Sequence, residues 1–228
     1  MVFTQGPSAH LGSLATGHGL GTISRTSDIV RFVQGGVVKP SVVRRRLMAF
    51  RYFADPINFA YLRDDSTPCE FCGSTEHRLD GDHFYGVDKI AAACFGCVER
   101  GALIERDIST NNVNLTEANN ALGTDAADPI TNQILYCTPS LPTWQDTDWP
   151  FVDGDFATFL KIASKTDFTD QSHFADTILP DDIAEPDPDW QWDMLPDHPV
   201  TNLKEGQYDI SIYLFRRADR LVTILDAN

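Results

Sequence analysis

Cys69-Glu70-Phe71-Cys72-Gly73 and, after a gap of 21 residues, Cys94-Phe95-Gly96-Cys97 decide how this chain is read. A tight turn after the first cysteine of a Cys-x2-Cys pair brings the second sulfur back toward the same point, so each pair can present two thiolates to one ion. Gly73 tolerates the left-handed conformation that a zinc-knuckle turn demands. Phe95, Val98, Ala102 and Ile104 share much of one helical face, which predicts a helix over residues 95–106. Its N-terminal dipole would favour thiolate at the second pair. Between the pairs, residues 74–93 carry polar and aromatic runs broken by Asp80-Gly81-Asp82 and Gly86-Val87-Asp88, the pattern of one or two β-hairpins. Knuckle, hairpin and helix-borne pair together describe a treble-clef-like zinc module.

Four thiolates saturate a tetrahedral Zn2+ and leave no position for water or substrate. The expected site is therefore structural, with Cys69, Cys72, Cys94 and Cys97 as ligands and zinc as cofactor. Iron is the other metal that four sulfurs suit, and two disulfides are the metal-free alternative. No basic stretch precedes an apolar core in residues 1–47, which disfavours a secretory signal and with it the disulfides. Cys137 falls at a predicted helix end and reads as a buried free thiol. His77 is a substitute ligand for one thiolate. Asp82-His83 reads as a surface turn, with a metal-linked acid/base role as the sharper alternative. Trp144-Gln145, Trp149 and Trp190-Gln191-Trp192 stand beside acids, either as core-edge packing or as a partner-binding face. The acids from Asp181 to Asp189 read as a solvated loop, with calcium binding the weaker alternative because the loop lacks an EF-hand pattern.

Working outward, charge divides the chain. Residues 1–47 hold six bases and one acid, a net of +5, together with 7 of the 15 glycines. Residues 48–228 hold 12 bases and 32 acids, a net of −20. Three readings compete for the leader: a flexible basic arm, a stretch upstream of a true start at Met48, and an Arg-bearing, acid-poor transit peptide. The body at 48–228 is the folded zinc-binding domain. Its acids are 25 Asp and 7 Glu against only four lysines. Such a surface suits a high-salt proteome or a basic partner. It argues against nucleic-acid binding by the body, because phosphate contacts need clustered Lys and Arg. No apolar run approaches the roughly 18–20 residues of a membrane span, and the expected compartment is the cytoplasm.

Elsewhere, residues 50–53 read as a short strand and Asp55-Pro56 as a turn. Asp128-Pro129 is expected to open a helix running to Thr138-Pro139. Phe156, Phe159, Leu160 and Ala163 at helical spacing predict a helix over residues 155–164, with a further short helix over 172–179. Residues 180–199, rich in Pro and Asp, read as loop. Residues 209–216 alternate, Ala218-Asp219 turns, and residues 221–225 return as the second arm of a C-terminal β-hairpin. The fold class is α+β.

In order along the chain these motifs resemble the CbrC family, a bacterial group associated with colicin tolerance. Phe50-Arg51-Tyr52-Phe53-Ala54-Asp55-Pro56 looks like its Phe-x-Tyr-His-x-Asp-Pro opening, with Phe53 where the family tends to have His. Cys69-x2-Cys72-Gly73 and Cys94-x2-Cys97 match its cysteine pairs. Trp144-Gln145 and Trp149 are similar to its Trp-Gln-x-x-x-Trp segment, residues 155–160 resemble the helix that follows, and Tyr213-Leu214-Phe215-Arg216 resembles its last strand. The family usually carries a further Cys-x2-Cys there. Arg217 and Arg220 occupy that spacing here, and cations cannot ligate zinc. The resemblance implies a protein linked to toxin tolerance. With the acidic surface, it implies a non-catalytic interaction module for a basic partner such as a nuclease-type toxin. The alternative is a zinc-supported enzyme, although no nucleophile–base pair stands at a known spacing.

Overall fold

The computed structural model describes residues 50–179, 187–206 and 209–227, all within one compact unit. The expectations for residues 1–47 and for the acids at 181–186 lie outside the described residues.

Residues 50–53 form not a strand but a single parallel bridge, Phe53 to Phe159. Asp55-Pro56 does more than turn: the Asp55 carboxylate accepts from the Asn58 N–H and starts the one-turn helix α1 (Pro56–Phe59). The region between the cysteine pairs is one wide hairpin. β1 (Arg78–Asp80) pairs antiparallel with β2 (Ala92–Cys94) in the register Arg78↔Cys94, Leu79↔Ala93, Asp80↔Ala92. A 3-10 turn at Gly81–His83 follows β1. Glycine is required at 81, because an added Cβ would lie 1.8 Å from the Ile90 carbonyl oxygen.

The predicted helix 95–106 is shorter. α2 (Phe95–Glu99) ends before Gly101, which takes φ +75°, and a 3-10 turn at Ile104–Arg106 follows. A left-handed residue cannot continue a right-handed helix, so the apolar spacing beyond it is met by two separate turns. Next comes a helix that went unread, α3 (Leu115–Leu122), capped by the Asn114 side chain on the Glu117 N–H at 3.1 Å. α4 (Thr124–Cys137) starts at Gly123, five residues before the expected Asp128-Pro129 start, and carries Pro129 inside it. Proline there forfeits one intrahelical hydrogen bond. Packing of Ala127, Thr131 and Ile134, all buried, outweighs that loss.

The largest correction concerns residues 155–164, which are not helical. Phe151–Val152 (β3) and Asp155–Phe156 (β4) form a small hairpin, and Thr158–Ile162 (β5) enters a three-stranded antiparallel sheet of order β5-β6-β7. β6 (Ile210–Arg217) and β7 (Arg220–Ala227) are the C-terminal hairpin that the alternation predicts, turning at Ala218-Asp219 in the register Arg217↔Arg220. The pairing of β5 with β6 slips between Phe159 and Lys161. This bulge breaks the period-2 pattern and leaves Phe156, Phe159, Leu160 and Ala163 at a spacing that imitates a helix. Before the last hairpin lie α5 (Gln171–Ala175), α6 (Pro188–Met194) and α7 (Leu203–Gly206). α6 corrects the loop reading of 180–199: the Asp187 carboxylate accepts from the Asp189 and Trp190 N–H groups, and Pro188 fills the first turn.

β6 is the centre of the molecule, buried on both faces from Ser211 to Phe215. Tyr213 and Phe215 join the larger core, where Phe159 meets Phe53 at 4.8 Å and Phe215 at 5.4 Å between ring centroids. Trp149 packs edge-on against Phe215 and donates its indole N–H to the Ala157 carbonyl at 2.7 Å. Ile212 and Leu214 face the smaller core, with Phe168, Phe174 and the half-buried Trp192. Among the described residues no helix is long and apolar enough to cross a membrane.

Candidate metal centre

The sulfurs of Cys69, Cys72, Cys94 and Cys97 all lie within 4.8 Å of one another. The first pair sits on a turn in which the Gly73 N–H returns to the Cys69 carbonyl at 2.8 Å, with Gly73 at φ +72°. The Cys69 N–H in turn donates to the Ser74 carbonyl at 2.8 Å. Cys94 ends β2 and is the residue from which α2 springs; Cys97 lies in the first turn of α2. The hairpin carries the second pair to the first through main-chain bonds, Glu70 N–H to Ala92 O at 3.0 Å and Phe95 N–H to His77 O at 3.0 Å. Arg78, buried in β1, donates to the carbonyls of Thr67 and Asp65 and so holds the approach to Cys69.

Cys69, Cys94 and Cys97 are buried and Cys72 is exposed. The Cys72 and Cys94 sulfurs are 3.5 Å apart. Burial pushes the Cys69 thiol up, but backbone N–H groups of Cys94, Phe71 and Cys72 outweigh it and bring the group to about 7. Burial raises Cys94 and Cys97, because a bare anion there would lose its water. Arg100 was not singled out in the sequence. Its guanidinium donates to Cys97 Sγ at 3.2 Å and to the Gly96 carbonyl at 2.6 Å, placing a cation against the sulfur cluster. Four soft donors around one point, with N–H groups and a guanidinium to offset their charge, are compatible with a metal site.

The remaining candidates separate from this cluster. His77 is exposed and stacks on Phe95 with centroids 5.5 Å apart. His83 stacks on Tyr61 at 3.5 Å with rings 6° from parallel. Cys137 ends α4, half-buried rather than fully buried as expected, and burial pushes its thiol up. Trp149 is core, while Trp144 is 55 % exposed and Trp190 40 %. Asp226, away from the cysteines, anchors a loop that the sequence gives no sign of. It is buried, and its carboxylate accepts from the Trp144 and Gln145 N–H groups at 2.8 and 3.2 Å and from the Tyr213 hydroxyl at 3.0 Å. An isolated acid near the end of an alternating strand carries no local signal for that role.

Fold and site together define an α+β chain organised around a four-cysteine cluster and a C-terminal strand pair. The chain belongs to the uncharacterised protein family UPF0167, whose model matches residues 47–223. It is 24 % identical over 180 residues to a UPF0167 protein of Mycobacterium bovis and, at the same identity and length, to one of Mycobacterium tuberculosis. Each alignment covers 78 % of this chain and 91 % of the relative. No solved structure matches the chain.

Proposed function

We propose that this protein is a non-catalytic interaction module built on a structural zinc site, with Cys69, Cys72, Cys94 and Cys97 as the four ligands. The observation that carries the proposal is the gathering of four sulfurs within 4.8 Å of one another, three of them buried. Four thiolates complete a tetrahedral shell, so the metal's contribution is to folding, on the order of 10 kcal/mol for small sites. The knuckle, the β1–β2 hairpin and the helix-borne second pair follow the order of a treble clef. The ladder of resembling motifs from Phe50 to Arg216 supports placing the chain beside the CbrC group, and with it a role in tolerance of bacteriocin-type toxins in the cytoplasm. A body at net −20 suits a basic partner, since opposite charges speed encounter. Residues 48–228 form the working domain in this reading, and residues 1–47 a basic leader to it.

Native mass spectrometry with and without a chelator tests the site. The expected result is one zinc per chain, removed together with the folded charge-state distribution. A metal-free chain four mass units light, the signature of two disulfides, would overturn the site. For the partner, capture of a basic nuclease-type toxin domain is expected to fall steeply between low and physiological salt. Capture that ignores salt, or none at low salt, would sink the electrostatic reading.

A further inference from the structure

Away from the cysteines, four separate chain segments converge on one aromatic and acidic patch. The Asp80 N–H donates to the Tyr61 carbonyl at 3.0 Å, and the 3-10 turn after β1 then lays His83 flat on the Tyr61 ring. Two residues on, Tyr85 is held by a pair of main-chain bonds with Ser109, both 2.8 Å, and its ring is 40 % exposed. Burial, and Asp146 lying near its hydroxyl, raise the phenol's hold on its proton. Asp146 belongs to the loop whose Trp144 and Gln145 N–H groups are gripped by buried Asp226. The Ser140 hydroxyl donates to the His83 carbonyl at 2.9 Å and ties the segment before this loop to the His83 turn. Trp144 stands on this loop at 55 % exposure.

The charges around these rings are of one sign. Asp82 and Asp146 are exposed, and among the described residues no lysine or arginine pairs with either. Nearby Asp80 pairs with Arg63 at 2.9 Å, a cation that it shares with Asp65 at 2.6 Å. Nor does any described cation lie over the Tyr61, His83, Tyr85 or Trp144 rings; the cation–π contacts are at Tyr52 and Trp192. Of these rings Tyr85 and Trp144 are exposed, and an exposed ring next to an unpaired carboxylate attracts a cation twice, through the ring quadrupole and through Coulomb attraction. Burial also pushes His83 toward its neutral form, so the ring adds no opposing charge.

We propose that this patch, formed by Tyr61, His83, Tyr85, Trp144, Asp82 and Asp146, is the docking site for an arginine side chain of a basic protein partner. A planar guanidinium stacks on aromatic faces and donates to carboxylates at once, which an ammonium cannot do. This rests on the acidic-surface reading above and names the place where that surface becomes specific.

The test uses the zinc-loaded full chain and two labelled probes, acetylated tetra-arginine amide and tetra-lysine amide, followed by fluorescence anisotropy across a salt series. Tetra-arginine is expected to bind about 5-fold more tightly than tetra-lysine, the factor that ~1 kcal/mol of exposed cation–π contact gives. Trp144→Ala and Tyr85→Ala should each weaken tetra-arginine by a similar factor without changing the slope against salt. Asp146→Asn should lower that slope, and Trp190→Ala, outside the patch, should change nothing. Tyr85→Phe keeps the ring and should keep the arginine preference, which covers the case in which Tyr85→Ala fails to fold. If both peptides bind alike and the patch variants match the parent, the acidic surface survives and the patch does not. If neither peptide binds, both readings fall.

Discussion

Truncating Phe159 to alanine tests whether residues 158–162 are the strand that organises the core. Phe159 is fully buried, and its ring meets Phe53 at 4.8 Å, Phe215 at 5.4 Å, Tyr213 at 6.0 Å and Phe59 at 6.2 Å. Removing a buried phenylalanine ring costs about 3–5 kcal/mol, from lost transfer energy plus the cavity left among neighbours that cannot close in. Here the neighbours are themselves large rings fixed on different elements, so the upper half of that range applies. Leu160, the residue that the bulge leaves without a partner in β6, is only half-buried and packs against the smaller core. Its truncation should cost roughly half as much. Urea unfolding at fixed excess zinc keeps the metal's contribution common to all variants. With a slope near 2–3 kcal/mol/M, Phe159→Ala should move the midpoint down by about 1.5 M, and Leu160→Ala by roughly half that. A helix over 155–164 would instead bury Phe159 and Leu160 on one face and make the two costs similar. Equal shifts would refute the strand and the bulge together.

Four further outcomes follow. Gly81→Ala places a Cβ 1.8 Å from the Ile90 carbonyl oxygen, so the β1–β2 hairpin must open; reduced zinc stoichiometry and a lower melting temperature are expected. Arg100→Ala removes the guanidinium from Cys97 Sγ and should speed zinc loss to a colorimetric chelator while leaving the stoichiometry at one. Asp226→Ala strips the acceptor from the Trp144 and Gln145 N–H groups, while the Tyr213 hydroxyl keeps the Pro142 carbonyl; by roughly 1–3 kcal/mol per unsatisfied group it should destabilise and raise amide exchange at Trp144 and Gln145. His83 has its proton affinity lowered from the ordinary 6.5 by burial, against the pull of Asp80 and Asp82. The unfolded chain therefore takes up the proton first as pH falls, so this stability is present above 6.5 and is lost below it. His83→Phe, which keeps a ring on Tyr61, should flatten that part of the pH–stability curve, and an unchanged curve would remove His83 as its source.

The Asp-Pro dipeptide shows how local signals mislead and inform in one chain. At Asp55-Pro56 and Asp187-Pro188 it starts helices, each carboxylate accepting from the turn that follows. At Asp128-Pro129 the same pair lies inside α4, because α3 stops at Gly123 and the buried face of α4 extends back to Ala127. The α3 start was legible in Asn114-Leu115-Thr116-Glu117, a cap residue with Glu three positions later. β5 was not legible: its partner lies some 50 residues away in β6, and its bulge disguises the alternation.

By itself the sequence determined the two cysteine pairs, the hairpin between them, the C-terminal strand pair and the α+β class. Each of these rests on spacing within a few residues, or on a period that one buried face imposes. Tertiary structure alone decided that the four sulfurs share one locus, that β5 joins the sheet, that Trp149 is core while Trp144 faces solvent, and that Asp226 holds the 144–145 loop. Those outcomes depend on contacts between segments up to about a hundred residues apart. Their energies exceed local preference, and no window of the sequence contains both partners.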